Sequence, residues 1–407
     1  MSDDDAERQP LLPMPEGLFN VSAPATQTKI SVELDDAGFS TDVETEDLGE
    51  RIDSPFDPDL IEVQTRNPTV ALLLNRIRRN TIDLAPDFQR RAGIWTRQAQ
   101  SRLIESLLLR ITLPTLYAAE GDEDIWAVVD GVQRLSTIAR FVAPETINAE
   151  PLRLTGLEYL TEYNNCTFDD LPGRLQTRIE ETELVVLLIR RGTPEEVKFN
   201  IFARINTGGR PLTRQELRHA LIPGEAREFL AGLARSEAFQ AATAQSVSSE
   251  RMSDREMCLR FLAFSLTPPE EYTGQDFDGF LRKAMHALNR LGPLQLRTLS
   301  DAFEGAMYAG LTVFGQHAFR KRFRDYTRRN PVNKALFESQ AVTLSHYSKD
   351  QIRTLSARHA QVEERFLRLM ENTDFFNAVS AGTGDAGKVK LRFRMLDEMF
   401  QEVLKDA

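Results

Sequence analysis

Residues 125–142 read IWAVVDGVQRLSTIARFV, and this stretch decides how the middle of the chain is interpreted. Its first part, Ile125–Val129, is a short apolar run typical of a buried strand. From Val132 onward, apolar residues recur at intervals of three and four, as they do on one face of an amphipathic helix. Asp130 and Gly131 therefore lie at a strand-to-helix turn.

This turn has the chemistry of a phosphate site. The first amides of a helix lack partners within the helix and point outward, and Gly131 lets a ligand approach the backbone. Arg134 on the first helical turn is a planar cation suited to phosphate, Asp130 is a candidate Mg²⁺ ligand, and Gln133 is placed to orient a nucleophile. Because Asp-Gly is also common turn chemistry, the spacing alone leaves an ordinary structural turn open.

The residues on both sides of the turn predict a mixed α and β domain. Upstream, helices are expected over Thr69–Arg79 and Arg97–Arg110, followed by a hairpin whose first strand is Leu116–Ala119. Downstream, Leu184–Ile189 is expected to be a buried strand. The next helix stops at Asn206-Thr207-Gly208-Gly209, which either closes over a ligand or simply ends the helix.

Four motifs occur in the order and approximate spacing of one known family. They are Phe88-Gln89-Arg90 with Trp95, residues 101–107 (SRLIESL), residues 130–137 (DGVQRLST), and Asn206-Thr207-Gly208-Gly209 followed by Leu212 and Glu216-Leu217. Over roughly residues 65–220, the chain resembles the N-terminal, DGQQR-motif domain of GmrSD-type modification-dependent restriction systems. The resemblance implies a ParB/sulfiredoxin-like fold.

The same resemblance implies binding of a nucleoside triphosphate with Mg²⁺, and in several relatives its hydrolysis, coupled to defence against foreign or modified DNA. By position it implies three catalytic residues, Asp130, Gln133 and Arg134, with Asp130 also the metal ligand. The nucleotide-binding residues that it implies are Gln89, Arg90, Gly131, Asn206 and Thr207. Val132 replaces the first Gln of the family motif, so we expect nucleotide binding and leave hydrolysis open.

Relatives often continue into a His-Asn-His nuclease domain, whose metal and general base need clustered histidines. The five histidines of this chain are at least 13 residues apart: His219, His286, His317, His346 and His359. We therefore expect no such nuclease here and predict a separate nuclease subunit. Two alternatives stay open, namely a non-enzymatic nucleic-acid-binding subunit and a metal-dependent nuclease of the ParB-like domain with Asp130 and Glu105 as ligands.

The acidic charge of the chain is concentrated at its N-terminus. Residues 1–62 contain 17 acidic and 3 basic side chains, whereas the remainder contains 44 acidic and 47 basic ones. The first 62 residues also lack a sustained hydrophobic period, which predicts a mostly disordered leader. This leader is either solubilising or a nucleic-acid mimic that competes for a basic groove elsewhere in the chain.

The C-terminal half reads as almost wholly helical, with periodic stretches that include Ile352–Met370 and capping boxes at Thr213 and Ser253. Residues 319–329 (FRKRFRDYTRR) combine six basic residues with aromatics that would share one helix face. They are either a solvated helix face or, with a second basic run near the C-terminus, a DNA-binding surface. The candidate DNA contacts are Arg320, Lys321, Arg322, Arg324, Arg328, Arg329, Lys388, Lys390 and Arg392.

These observations predict an α+β protein with three parts. The parts are a leader over residues 1–62, a ParB/sulfiredoxin-like domain over 63–215 and an all-α domain over 216–407. Neither a membrane span nor a secretory signal is predicted, and two separated cysteines fit a reducing, cytoplasmic setting. The expected partners are DNA and a nuclease subunit, and a homo-oligomer is compatible with the apolar stripes.

Overall fold

The structure is a computed structural model that describes residues 30–34, 38, 40–48, 57–84, 95–205, 212–274, 276–324 and 328–405. Its strands are β1 (Val32–Leu34), β2 (Ser40–Glu44), β3 (Val63–Arg66), β4 (Ile82–Asp83), β5 (Leu116–Glu120), β6 (Trp126–Asp130) and β7 (Val186–Ile189). Its first helices are α1 (Val70–Arg78), α2 (Arg97–Leu108), α3 (Val132–Val142), α4 (Gly173–Glu180) and α5 (Glu195–Ile205). Strands and helices alternate in this first half.

Helices dominate the described residues from 212 onward. They are α6 (Arg214–Leu221), α7 (Glu225–Arg235), α8 (Glu237–Thr243), α9 (Ser253–Leu266), α10 (Phe277–Leu288), α11 (Pro293–Phe314), α12 (Lys334–Ser345), α13 (Lys349–Ala357), α14 (His359–Glu371), α15 (Thr373–Ala378) and α16 (Ala386–Lys405). The predicted α+β class, with a sheet first and helices after it, is confirmed. In the described part of the chain, every helix is too short or too polar to cross a bilayer.

Strands β3 to β7 form one mixed sheet in the order β3-β7-β5-β6-β4. The predicted hairpin is confirmed, because β5 and β6 are antiparallel with Tyr117 opposite Asp130. Strands β7 and β5 are parallel, as are β4 and β6. The carboxyl end of β6 therefore lies beside the first residues of β5, where both strands reach the same end of the sheet.

Both faces of this sheet are covered. Side chains alternate along its central strands, so each strand contributes residues to two cores. One face packs into a sheet core shared with α1 to α4, and its contributors from β5 and β6 are Leu116, Ala118, Trp126 and Val128. On the other face, Ala119 and Val129 join a helical core that includes Phe202 of α5, Leu217 of α6 and Phe261 of α9. The helical core thus crosses the predicted boundary at residues 215 and 216.

The predicted disorder of the leader is wrong for the part of it that the structure describes. Strands β1 and β2 pair antiparallel, and Val43 of β2 is fully buried in the helical core. The backbone of β2 meets that of Val332, with Glu44 N donating to Val332 O at 2.8 Å. Composition could not reveal this order, because it depends on cationic partners almost 300 residues away.

Two local predictions in the helical half are corrected. The capping box expected at Ser253 is absent, because the Ser253 hydroxyl donates to Glu33 Oε2 at 2.9 Å and Met252 is the N-cap residue. The single helix expected over Ile352–Met370 is divided at Arg358 into α13 and α14. The capping box predicted at Thr213 is confirmed.

Candidate anion-binding site

The predicted strand-to-helix turn is confirmed. Strand β6 ends at Asp130, and Gly131 is the N-cap residue of α3. Gly131 has a φ of +91°, in the left-handed region that favours glycine, and a Cβ there would lie 2.1 Å from Leu116 Cδ2. Glycine is therefore required at this position both by the backbone conformation and by the packing of the neighbouring strand.

The start of α3 has the features of an anion site. Among the residues that the structure describes, no side chain caps it, and the first backbone bond that closes the turn runs from Leu135 N to Gly131 O at 2.9 Å. The amides that precede Leu135 in the helix have no partner within it, and the helix dipole adds positive potential. Gln133 is half-buried, and its Oε1 atom is buried without a hydrogen-bond partner in the described part of the chain.

The guanidinium of Arg134 is engaged by the protein itself. It donates to Asp130 Oδ2 at 2.8 Å, to the carbonyl of Thr115 at 3.1 Å and to the carbonyl of Pro114. Burial lowers the pKa of Arg134, and the nearby Asp130 carboxylate opposes this shift. These contacts fasten the start of β5 to the first turn of α3, so Arg134 braces the site in this structure.

Asp130 is the protein group at this turn that is suited to a divalent cation. Its side chain is 36% exposed, and Arg134 occupies one of its oxygens. Within the ranges that the structure describes, no cluster of three or more His, Cys, Asp or Glu side chains could hold a metal ion. Among these described residues the turn therefore offers one carboxylate, and it does not form a metal cage made of protein groups alone.

Four of the predicted nucleotide contacts, Gln89, Arg90, Asn206 and Thr207, lie outside the described residues. The structure brings together Asp130, Gly131, Gln133 and Arg134, which all belong to one turn. Glu105, the second ligand of the nuclease alternative, is buried in α2 and is already satisfied by other groups. Its two carboxylate oxygens accept the backbone N–H groups of residues 158, 159 and 160 at 2.7–3.0 Å.

The hydrogen bonds of the Glu105 carboxylate should make the free energy of unfolding depend on pH. Burial alone would raise its pKa, but the three backbone N–H donors outweigh burial and hold the pKa below the ordinary glutamate value. A carboxylate whose pKa is lower in the folded state stabilises the fold above its unfolded pKa, and this contribution is lost as the pH falls through the folded pKa. Glu105→Gln is therefore expected to lower the free energy of unfolding at pH 7 by about 1–3 kcal/mol.

Urea unfolding at stepwise lower pH values would check this effect. The difference between the wild type and Glu105→Gln should shrink below about pH 4. The matched control is Glu158→Gln, which changes the exposed neighbour and should change the unfolding free energy little at any pH. A constant difference between Glu105→Gln and the wild type from neutral to acid pH would contradict the assignment.

Three residues of the predicted DNA-binding surface are buried, so their prediction as solvent-facing cations is wrong. Arg320 pairs with Asp42 at 2.8 Å, and Lys321 pairs with Glu44 at 2.6 Å. Arg392 of α16 pairs with the buried Glu338 of α12. A long basic side chain that neutralises a buried carboxylate cannot be distinguished by sequence from one that faces solvent.

The helix predicted over residues 319–329 is also absent from its described part. Phe319 has a φ of +64°, and Arg320 forms an isolated antiparallel bridge with Val332. The chain turns here because Phe319 packs into the helical core while its neighbour reaches the acidic leader. The aromatics therefore do not line one helix face as the spacing suggested.

The remaining predicted DNA contacts lie nearer the surface. Arg322 pairs with Glu363, and Arg324 pairs with Glu364 at 2.8 Å and also with Glu371. Hydrogen bonds from Arg324 and Arg368 lower the pKa of Glu364 to about 2.

The last four candidate DNA contacts differ in their hydrogen bonds and in their exposure to solvent. Lys388 Nζ donates to the Ala381 carbonyl at 2.6 Å, and Arg329 approaches Asp42 at 3.7 Å. Arg328 and Lys390 are exposed. Arg324 and Arg329 are exposed as well, but both are close to carboxylates.

A cavity that the sequence did not indicate lies between the sheet and α5. It has a volume of about 630 Å³, and its charged lining includes Asp83, Glu120 and Lys198. Asp83 pairs with Arg227 at 2.6 Å, and Glu120 pairs with Arg190 at 2.8 Å. No spacing in the sequence links these residues, because they come from separate strands and a helix.

Comparison with known proteins identifies one region of the chain. Residues 70–223 match the sequence profile of the GmrSD restriction endonuclease N-terminal domain. No curated protein and no solved structure matches the chain. The matched region covers less than half of the 407 residues, and it includes α1 to α6 with the turn at Asp130.

Proposed function

We propose that residues 70–223, a GmrSD-type restriction domain, bind a nucleoside triphosphate at the Asp130–Arg134 turn as part of a restriction system directed against foreign DNA. The observation that carries the proposal is the uncapped start of α3 behind a glycine that no other residue can replace without a clash. We propose further that the sheet and its helices are ParB/sulfiredoxin-like.

The chemistry of phosphoryl transfer suits this turn. Such reactions depend mainly on positioning and on neutralising charge, and they need no covalent nucleophile. The free amides of α3 and its dipole would hold phosphate oxygens, and the unpartnered Oε1 of Gln133 is an acceptor that an attacking water could use. Asp130 would contact Mg²⁺, which neutralises phosphate charge when it is bound with the triphosphate.

The contacts of Arg134 assign it a positioning role in this proposal. It holds Asp130 at 2.8 Å and ties the turn to the carbonyls that precede β5. We propose that Gln89, Arg90, Asn206 and Thr207 complete the nucleotide site, a proposal that rests on the family resemblance alone. With Arg134 engaged, these segments would supply the side chains that contact the nucleotide.

A second candidate function is a non-enzymatic nucleic-acid-binding or regulatory subunit. Two observations favour it: Val132 stands where the family motif has Gln, and Arg134 is committed to protein groups. In this case the turn would hold a phosphate without hydrolysing the nucleotide. DNA cleavage by either form of the protein would come from a separate nuclease subunit in the cytoplasm.

A nuclease built into the ParB-like domain is favoured less. Glu105 would have to leave three backbone amides to reach a metal ion. A buried carboxylate that gives up such hydrogen bonds loses most of what stabilises its charge. We therefore keep DNA, modified DNA included, as the proposed partner and place cleavage outside this chain.

The test is nucleotide binding and turnover by the full chain. All four triphosphates would be assayed with Mg²⁺, with and without plain and modified DNA. Asp130→Asn is expected to reduce nucleotide affinity or turnover at least tenfold, because one good charge-assisted contact is worth about 1.5–3 kcal/mol. Arg134→Ala should weaken the site and also lower stability.

The matched control is Asp122→Asn, which makes the same charge change at the far end of the β5–β6 hairpin. Asp122 is 84% exposed and should have no effect on nucleotide binding. If no triphosphate binds under any condition, the proposed function is wrong. If a triphosphate binds but is not hydrolysed, the regulatory subunit is the better description.

A further inference from the structure

The acidic strap, defined as residues 40–48, lies in a groove of the helical half that is lined by buried cations. Asp42 pairs with Arg320 at 2.8 Å, and Glu44 pairs with Lys321 at 2.6 Å. Glu46 pairs with Arg260, whose side chain is 1% exposed. Asp42, Glu44 and Glu46 are thus each matched by a cation of the helical half.

Main-chain hydrogen bonds hold the strap against the helical half, and its residues 40–44 form β2, which also pairs with β1. Glu44 N donates to Val332 O and Val332 N donates to Asp42 O, both at 2.8 Å. Further along, Thr383 N donates to the carbonyl of Asp47 at 3.0 Å. The strap therefore follows the groove through its backbone as well as through its acidic side chains.

Two of the cations depend on the strap for their charge balance. In the part of the chain that the structure describes, the carboxylates paired with Arg320 and Lys321 are those of Asp42 and Glu44. Arg260, by contrast, also pairs with two carboxylates of the helical half. If the strap left the groove, Arg320 and Lys321 would become uncompensated cations, and such groups attract a replacement anion.

An aromatic pair stands beside these cations. The Lys321 ammonium lies 5.1 Å from the centre of the Phe376 ring, and Phe376 packs on Phe323 with ring centroids 6.4 Å apart. Both rings are half-buried. Cations that follow a backbone, next to aromatic rings on which bases can stack, are the usual elements of a site for single-stranded nucleic acid.

We infer that this groove is a binding site for a single-stranded nucleic acid and that the acidic strap occupies it as an intramolecular competitor. Asp42, Glu44 and Glu46 stand at every second residue of the strap. They present three anions in succession along one chain, as a nucleic-acid strand presents its phosphates. Only molecules in which the strap has left the groove can bind the nucleic acid. The apparent affinity is therefore the intrinsic affinity of the open groove multiplied by the fraction of open molecules.

The inference is independent of the turn at Asp130, and its test uses the full chain. The double variant Asp42→Asn, Glu46→Gln removes two strap charges without changing side-chain size. Fluorescence anisotropy with a labelled oligodeoxythymidine, over a series of salt concentrations, would measure binding. The variant is expected to bind about tenfold more tightly than the wild type, with affinity that falls as salt rises.

The matched control is the double variant Asp350→Asn, Glu145→Gln. It makes the same change in net charge at side chains that are 87% and 65% exposed and paired at the surface. Equal tightening in the control would mean that net charge alone is responsible and would overturn the inference. Tighter binding of a duplex than of the single strand would also overturn it.

Hydrogen exchange of the wild-type chain gives a second readout that needs no substitution. When a saturating oligonucleotide displaces the strap, the Val332 and Thr383 amides lose the carbonyls to which they donate. Both amides should then exchange faster than in the free protein. Unchanged or slower exchange at these two amides, or no oligonucleotide binding at low salt, would show that the strap is a permanent structural element and that the inference is wrong.

Discussion

Replacing Arg260 with alanine is expected to lower the free energy of unfolding by about 3–5 kcal/mol. The guanidinium is buried and contacts Glu46, Glu256 and Glu338, the last at 3.1 Å. Removing it deprives Glu46 of the cation with which it pairs among the described residues, whereas Glu256 keeps Lys334 and Glu338 keeps Arg392. The loss therefore reflects uncompensated buried charge more than the strength of the original ion pairs.

Arg353→Ala is the matched control, because Arg353 also pairs with a carboxylate but lies at the surface. It is 78% exposed and contacts Asp350 at 2.9 Å, and its loss should lower the unfolding free energy by less than about 1 kcal/mol. Urea unfolding followed by circular dichroism would compare the two variants. Similar small losses in both would mean that water reaches the Arg260 cluster.

The second large effect is expected for Gly131→Ala, which should lower the free energy of unfolding by about 2–4 kcal/mol. The left-handed φ of +91° strains any residue with a Cβ, and that Cβ would overlap Leu116 Cδ2 at 2.1 Å. The side chain of Leu116 belongs to the sheet core and cannot move without disturbing its neighbours. Nucleotide binding should weaken as well, because the first turn of α3 would shift.

Gly305→Ala provides the comparison for that substitution. Gly305 lies within α11, and a Cβ there meets no atom within 4 Å. Alanine favours the helix over glycine, so this variant should be unchanged or more stable by up to about 1 kcal/mol. Thermal and urea unfolding of both variants would separate the effect of the turn from that of losing a glycine.

The sequence predicts the local elements of this fold well. Two short apolar runs in residues 116–129, separated by an acidic loop with a glycine, predict the hairpin, and the helical period in residues 132–142 predicts α3. The turn at Gly131 is also predictable, because glycine is common where the backbone turns sharply. What joins these elements is less visible, because strand β7 inserts beside β5 and no local pattern encodes that pairing.

The errors have a common physical origin in long-range electrostatics. The acidic composition of the leader and its lack of a sustained hydrophobic period predict disorder, and the basic character of Arg320, Lys321 and Arg392 predicts positions at the surface. In the structure, Asp42 and Glu44 neutralise the first two of these cations in a buried groove. Composition counts charges of each sign, but only the tertiary fold determines which of them pair.

The candidate site was predictable only in part for a different reason. Asp130, Gly131, Gln133 and Arg134 are adjacent in sequence, so their proximity follows from one local turn. The engagement of Arg134 by the carbonyl of Thr115 is not local, since it requires β5 to lie beside β6. A motif therefore indicates where a ligand could bind, but it does not show which of its side chains are already engaged.

The sheet contributes side chains to both cores, and this affects how the protein unfolds. Ala119 and Val129 face the helical core, whereas Leu116 and Val128 face the sheet core. Unfolding of either core would therefore expose one face of the same strands to water. We therefore expect the two halves to unfold in one cooperative transition, although sequence motifs divide them near residue 215. A fragment that ended there would display an apolar sheet face to water and would be prone to aggregate.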